Sequence, residues 1–261
     1  MLGLQKTQID NLQELKKDFW AKGYMVVPNI LPEEVINNMF SEIEALFGEA
    51  LSQHGVDADR FAAFATLDEK YAYLKKNHPK IKSHAYDLIK FLGSLHRAAN
   101  SPTITNIVQQ LVGSPVLLDA VQVRIDDKDD DRLLPLHQEA CGQISELCVT
   151  AWIPLVDVNP QNGAMRYIPE SHKNGFLPHR FYPEYKNYHG VKEGFYDEGK
   201  AIYGSIKKGT AIIFHPLLIH GSSPNKTDRT RWTFITRYNS VKQIGYLASE
   251  SAPLRPEQKE S

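Results

Sequence analysis

Short apolar segments alternate with turn clusters between residues 115 and 240, and this pattern constrains the fold more than any other feature of the chain. The strand-like segments are 116–125, 147–158, 164–168, 210–214 and 229–238. Turn clusters rich in Gly, Pro, Asn and Asp stand at the ends of these segments, and no series of helical patterns lies between them. Parallel strands would need helices as crossovers, so the pattern predicts a mainly β fold, an antiparallel roll of two sheets (a jelly roll, or double-stranded β-helix).

The first part of the chain has helical periodicity instead. Helical patterns occupy 8–22, the segment that follows Pro32, 58–77 and 84–99, and a short apolar strand occupies 24–27. We expect these helices to buttress the roll. The sequence therefore predicts a single domain over residues 1–261, with a helical buttress at about 1–114 and the roll at about 115–240.

Residues 174–203 interrupt the roll with a long segment of little regular period that contains eight aromatic residues. Connections of this length in a compact domain are usually functional or disordered, and the aromatic content argues against disorder. We therefore predict a lid-like insertion that covers a substrate. Simple surface packing is the alternative.

The charge balance limits the partners. The chain has 30 Lys and Arg against 31 Asp and Glu, a formal charge of -1 at pH 7, so no general field attracts nucleic acid or an anionic membrane. No run of about 18 apolar residues occurs, and the first ten residues lack the apolar core of a signal peptide. We expect a small-molecule substrate, no nucleic-acid or membrane partner and a cytoplasmic location, with Cys141 and Cys148 as buried free thiols.

The triplet His137-Gln138-Glu139 is the first candidate for chemistry. In an extended segment His137 and Glu139 project from the same face, because side chains alternate along a strand. His220 ends the apolar run 210–219, farther along the chain. Two histidines and one carboxylate hold non-haem Fe(II) with coordination positions left open. A zinc hydrolase, or a non-catalytic metal- or sugar-binding roll, would also accommodate these residues.

The motifs together resemble the phytanoyl-CoA dioxygenase family of Fe(II)- and 2-oxoglutarate-dependent oxygenases. The resemblance covers most of the chain and is carried by the helix-to-strand entry at 19–27, His137-Gln138-Glu139, Thr150-Ala151-Trp152, the segment 162–173, and His220-Gly221-Ser222 with Arg231 beyond it. In that family a serine stands two places after the last histidine and an arginine eleven places after it. Ser222 and Arg231 fill these positions here.

The resemblance implies the cofactor and its ligands. Fe(II) would be held by His137, Glu139 and His220, and it would bind 2-oxoglutarate and O2 at its open positions. The family usually has aspartate where Glu139 stands, and glutamate is one methylene longer. Because a carboxylate is retained at this position, hydroxylation is preferred over halogenation.

The resemblance also implies a pocket for the co-substrate. Arg231 would bind the far carboxylate of 2-oxoglutarate with its planar guanidinium, and Ser222 would add a hydroxyl. Trp152 and Gln122 would line the same pocket. The implied reaction is hydroxylation of an unactivated C–H bond in a small metabolite or natural-product intermediate, with succinate and CO2 as co-products, and desaturation or cyclisation as alternatives.

One residue is a candidate for contact with the substrate itself. Arg124 lies on the predicted strand that precedes the His137 triplet, with its side chain on the same face as Gln122. It could bind an acidic group of the substrate. His215, just before the second histidine, is predicted to serve packing or to support the metal ligands.

Overall fold

The computed structural model describes residues 6–57, 59–128, 134–139, 147–185 and 188–243. Within them the predicted roll is confirmed, because two antiparallel sheets pack face to face. The strands are β1 (Tyr24–Val27), β2 (Val116–Asp126), β3 (Cys148–Pro154), β4 (Met165–Tyr167), β5 (His179–Tyr182), β6 (Tyr188–Val191), β7 (Ile202–Tyr203), β8 (Ala211–Phe214), β9 (His220–Ser222) and β10 (Arg231–Ser240).

The larger sheet has the strand order β1-β8-β3-β10-β2, and the smaller sheet has the order β7-β4-β9. A separate two-stranded ribbon consists of β5 and β6. Strand β1 comes from the N-terminal part of the chain, yet it pairs with β8 as an edge strand of the larger sheet. The N-terminal part therefore supplies a strand of the roll in addition to its helices.

The number of helices and the residues at which they begin and end differ from the sequence prediction. They are α1 (Lys6–Lys22), α2 (Glu33–Gln53), α3 (Asp59–Ala62), α4 (Leu67–Asn77), α5 (Pro79–Ile89), α6 (Gly93–Ala99) and α7 (Pro102–Val112). The predicted helix 58–77 is divided because Thr66 forms a capping box with Glu69, which starts a new helix. Helix α7 was not predicted, although Ser101 caps it and Pro102 occupies its first turn.

The two faces of β10 belong to different cores. Trp232, Phe234 and Tyr238 are buried in the main cluster, which the larger sheet forms with the helices. Ile235 lies on the opposite face, in the cluster between the two sheets. This alternation is the period-two pattern of a strand that is buried on both faces. The inner face of β10 thus points into the roll, where the candidate site lies.

Residues 174–203 have more regular structure than the sequence suggested. They include the ribbon β5–β6, and their last strand, β7, joins the smaller sheet beside β4. Of the predicted thiols, Cys148 is free and buried, and Cys141 lies outside the described residues. No helix in the described part of the chain is long and apolar enough to cross a membrane.

Candidate metal centre

The two histidines of the candidate site meet through the backbone. His137 and His220 form an isolated antiparallel bridge, in which the His137 amide donates to the His220 carbonyl at 2.8 Å and the His220 amide donates back at 3.0 Å. Directly opposite residues of an antiparallel pair project from the same face. The two rings consequently lie side by side, with their centroids 4.3 Å apart.

Each ring is oriented by a carbonyl two residues before it. His137 Nδ1 lies 2.8 Å from the Pro135 carbonyl, and His220 Nδ1 lies 2.9 Å from the Leu218 carbonyl. A carbonyl only accepts, so Nδ1 of each neutral ring carries the proton and Nε2 keeps its lone pair. This arrangement is typical of metal-binding histidines, whose second nitrogen donates to an acceptor that fixes the ring.

Glu139 completes the group. Its Oε1 lies 3.5 Å from His220 Nε2, and both carboxylate oxygens accept hydrogen bonds from Arg237, from Nη2 at 2.9 Å and from Nε at 3.0 Å. Burial alone would raise the pKa of the Glu139 carboxyl, but Arg237 and the two imidazoles outweigh it and hold the pKa below its usual range. Burial, with His220 as a second cause, lowers the pKa of His137 to about 3. At neutral pH the group therefore offers an anionic carboxylate and a neutral His137 ring.

The donor set fits Fe(II). One possible ligand atom from each of His137, Glu139 and His220 lies within 4.8 Å of the others, so the three side chains can converge on one ion. Two imidazole nitrogens and one carboxylate oxygen form the facial triad of non-haem iron oxygenases. The structure thus brings together the three residues that the sequence proposed as ligands.

The group opens into a cavity of about 500 Å³ in the roll. Four of the other site residues named from the sequence line it, namely Gln122, Arg124, Trp152 and Ser222. Tyr185 and Tyr188, from the predicted lid segment, also line it, whereas sequence analysis missed Tyr86, Thr150 and Arg237 as lining residues. The rings of Tyr188 and His137 meet edge to face, with centroids 5.4 Å apart, so β6 of the predicted lid segment lies directly beside the candidate metal ligands.

Arg231 is buried, as its predicted role requires, but it is not among the described residues that line the cavity. It is 1% exposed. Its Nη2 forms an ion pair with Asp126, its Nη1 donates to the Gly163 carbonyl, and its guanidinium carbon lies 6.0 Å from the centroid of the Trp152 ring. Arg231 therefore sits directly behind a wall residue of the cavity, held on two sides.

His215 is a packing residue in the structure. Its ring lies against Trp20 of α1 and against His172, with centroids 5.9 and 5.2 Å away. Burial, followed by the charge of His172, lowers the pKa of His215 to about 4. It lies outside the described lining of the cavity.

Comparisons with known proteins agree with this geometry. The family model described as "Phytanoyl-CoA dioxygenase (PhyH)" matches residues 19–233. The human peroxisomal phytanoyl-CoA dioxygenase is 28% identical over 232 residues, which are 84% of this chain and 65% of that protein. The L-proline trans-4-hydroxylase of Streptomyces griseoviridis is 22% identical over 267 residues, which cover 94% of this chain and 91% of that enzyme. The chain spans about two thirds of the length of its mammalian relatives, 65% of the human and 68% of the mouse protein.

Solved structures show the same fold. The non-haem monooxygenase ThoJ has a TM-score of 0.62 at 24% identity, with 87% of this chain and 77% of that chain covered. The epimerase SnoN, solved with Fe3+ and α-ketoglutarate, has a TM-score of 0.61 at 19% identity, with 89% and 84% covered.

Proposed function

Because the chain belongs to the phytanoyl-CoA dioxygenase family of iron- and 2-oxoglutarate-dependent oxygenases, we propose that it hydroxylates an unactivated C–H bond of a small molecule. O2 is consumed in this reaction, and 2-oxoglutarate is converted to succinate and CO2. The observation that carries the proposal is the convergence of His137, Glu139 and His220, with their possible ligand atoms within 4.8 Å of one another.

The three side chains would hold the metal, and Fe(II) supplies the O2 chemistry when bound. His137 and His220 would bind it through Nε2, because their Nδ1 atoms face the carbonyls of Pro135 and Leu218. Glu139 would contribute the negative charge. Arg237 holds both oxygens of this carboxylate and so limits its rotation before the metal arrives.

The co-substrate would bind in the same cavity. Ser222, Gln122 and Trp152 line it beside the triad, and Arg231 lies behind Trp152. We assign the far carboxylate of 2-oxoglutarate to Arg231 and Ser222, since a guanidinium and a hydroxyl together satisfy a buried carboxylate. Asp126 holds Arg231 in its orientation, and its charge offsets that of the guanidinium before the co-substrate binds.

The cavity also indicates the size of the substrate. A volume of about 500 Å³ lies within the range of sites that enclose small molecules. Tyr185 and Tyr188, from the segment 174–203, line this cavity and support the proposal that the segment covers the substrate. The cytoplasmic location remains a prediction from the sequence.

Anaerobic reconstitution tests the proposal. Fe(II) and 2-oxoglutarate added together should give a visible charge-transfer absorption, and O2 should then release succinate. His137→Ala and His220→Ala should each abolish both signals, whereas His54→Asn, at an exposed histidine at the end of α2, should retain them. Neither signal is expected from a zinc hydrolase or a simple binding protein, so their absence from the unaltered protein would refute the assignment.

A further inference from the structure

Gln138 stands between two of the candidate metal ligands, yet its side chain faces a different part of the molecule. His137 and Glu139 line the cavity, whereas Gln138 is 1% exposed and is not among the described lining residues. Alternation along an extended segment explains the difference, because the middle side chain points away from its two neighbours. The proposed chemistry therefore leaves this buried carboxamide without a role.

The Gln138 carboxamide joins three backbone groups. Its Nε2 donates to the Leu217 carbonyl at 2.7 Å and to the Gly175 carbonyl at 3.0 Å. Its Oε1 accepts from the Leu177 amide at 3.0 Å. Both hydrogens of the side-chain amide are therefore used, and two acceptors on one side with a donor on the other fix which way the carboxamide faces.

Two of these partners lead into the ribbon of β5 and β6, and the third leads to His220. Gly175 and Leu177 lie just before the first residue of β5. Leu217 directly precedes Leu218, whose carbonyl orients the His220 ring. One side chain thus connects the segment that carries the other two candidate ligands with the loop before His220 and with the start of the ribbon.

The far end of the ribbon is held by the same segment, on the other side of His137. The Val191 amide at the end of β6 donates to the Leu136 carbonyl at 2.8 Å, and both side chains are buried in one apolar cluster. Leu136 and Gln138 therefore hold the two ends of the ribbon, and His137 stands between them in the sequence.

We propose that Gln138 is a positioning residue that couples metal binding to the local stability of the ribbon. A metal bound by the residues on either side of Gln138 restrains its backbone, and the carboxamide passes this restraint to Gly175 and Leu177. Coupling between two sites is reciprocal, so the ribbon in turn holds the ligands in place for the metal. This inference rests on the metal site of the proposed function but on no step of the reaction.

Amide hydrogen exchange of the protein with and without Co(II) tests the coupling. Co(II) should slow the exchange of the Leu177 and Val191 amides by about 5-fold or more, the lower end of typical coupling between two sites. These two amides donate to Gln138 and Leu136, so their exchange measures the opening of the two connections. The visible absorption of Co(II) shows separately that the metal is bound.

Two variants of Gln138 test its part in the coupling. Gln138→Met keeps the approximate length of the side chain and removes all three hydrogen bonds. It should weaken Co(II) binding about 10-fold, as expected for a residue that orients metal ligands, and reduce the slowing at Leu177 to within about twofold. Gln138→Asn holds its carboxamide one C–C bond, about 1.5 Å, short of these partners, and it should show the same losses if the methionine variant does not fold.

Asn225 offers a matched control, because it is also a buried carboxamide that joins three backbone groups. Its Nδ2 donates to the carbonyls of Asp126 and Arg229, and its Oδ1 accepts from the Thr227 amide. Asn225→Leu should lower thermal stability but leave the Co(II) affinity within about threefold and the slowing in the ribbon intact. A purely structural role of Gln138 would make the variants at both positions behave alike.

Two results would overturn the inference. One is bound Co(II) that leaves the exchange of the Leu177 and Val191 amides unchanged in the unaltered protein, a measurement that needs no variant. The other is a folded Gln138 variant that keeps both the slowing and the Co(II) affinity of the unaltered protein. Failure of the proposed function is distinct, because it would show as a missing charge-transfer absorption with Fe(II) and 2-oxoglutarate while the effect of Co(II) on the ribbon remains.

Discussion

Glu139 and Arg237 should stabilise the protein as a coupled pair, because each is the other's main counter-charge in the roll. Their side chains are only 12% and 19% exposed, and two hydrogen bonds of 2.9 and 3.0 Å join them. Glu139→Asp would withdraw the carboxylate by about one C–C bond, roughly 1.5 Å. That shift takes both nitrogens beyond hydrogen-bonding distance and separates a guanidinium from its carboxylate inside the protein.

The magnitude follows from the burial. Removing one partner of a fully buried ion pair costs about 3–5 kcal/mol, and the open cavity beside this pair should reduce the loss to about 2 kcal/mol. For a chain of this size that loss lowers Tm by about 4–8 °C. Arg237→Met should cost a similar amount, and the double variant should cost little more than either single one. We therefore expect a coupling energy of about 2 kcal/mol.

Urea unfolding of the metal-free protein measures this coupling in a double-mutant cycle. The chain offers a matched control in Arg180 of the ribbon and Glu193 just after it, which form the same two-pronged pair with exposures of 43% and 57%. The cycle with Glu193→Asp and Arg180→Met should give below about 1 kcal/mol, because solvent screens exposed pairs. A coupling at Glu139 and Arg237 no larger than in this control would refute the reasoning.

Three further predictions concern other parts of the molecule. The pKa of His215 is about 4 in the fold and about 6.5 in the unfolded chain, so the unfolded state binds the extra proton between these pH values. The free energy of unfolding should therefore fall by up to about 3 kcal/mol as the pH drops from about 6.5 to about 4. The urea midpoint of His215→Asn should fall less steeply over the same pH range. Tyr188→Ala removes the ring that covers one edge of His137, so a chelator should extract bound Co(II) several-fold faster, without a comparable loss of thermal stability. At Gly163, φ is +88° and an added Cβ would lie 3.0 Å from Arg231 Nη1, so Gly163→Ala should destabilise the protein by about 1–3 kcal/mol and weaken 2-oxoglutarate binding in a titration.

Local periodicity predicted strands β1, β2, β3, β4, β8 and β10 and the candidate metal ligands, but it did not predict β5, β6 and β7, which lie in the segment 174–203. Alternation placed His137 and Glu139 on one face, and His220 stood out because it follows an apolar run. The bridge between His137 and His220 was not predictable from spacing, since 82 residues separate them in the sequence and only the paired sheets bring them together.

The charged network was missed for a related reason. Arg237 is six residues after Arg231, so period two would have placed both on the inner face of one strand. Its pairing with Glu139 nevertheless depends on the packing of the two sheets, because Glu139 follows the residue that bridges to β9, whereas Arg237 lies on β10 of the larger sheet. The sequence around Asp126 did not indicate a buried ion pair either, because Asp126 begins an acidic run that is typical of a solvated turn. In the structure its partner is the residue directly opposite in the sheet, Arg231.

Strand β10 shows how the helical layer serves the site in addition to contributing Tyr86 to the cavity wall. The register sets Arg231 opposite Asp126 and Ile235 opposite both Gln122 and Trp152. A slip of one residue would turn the inner side chains toward the helices, because successive residues of a strand point to opposite faces. The outer face of β10 carries large side chains such as Trp232, which are buried against the helices, so a slipped register would have to bury the charge of Arg231 among apolar residues. The apolar packing of the helices thereby fixes the register that holds the charged residues in the roll.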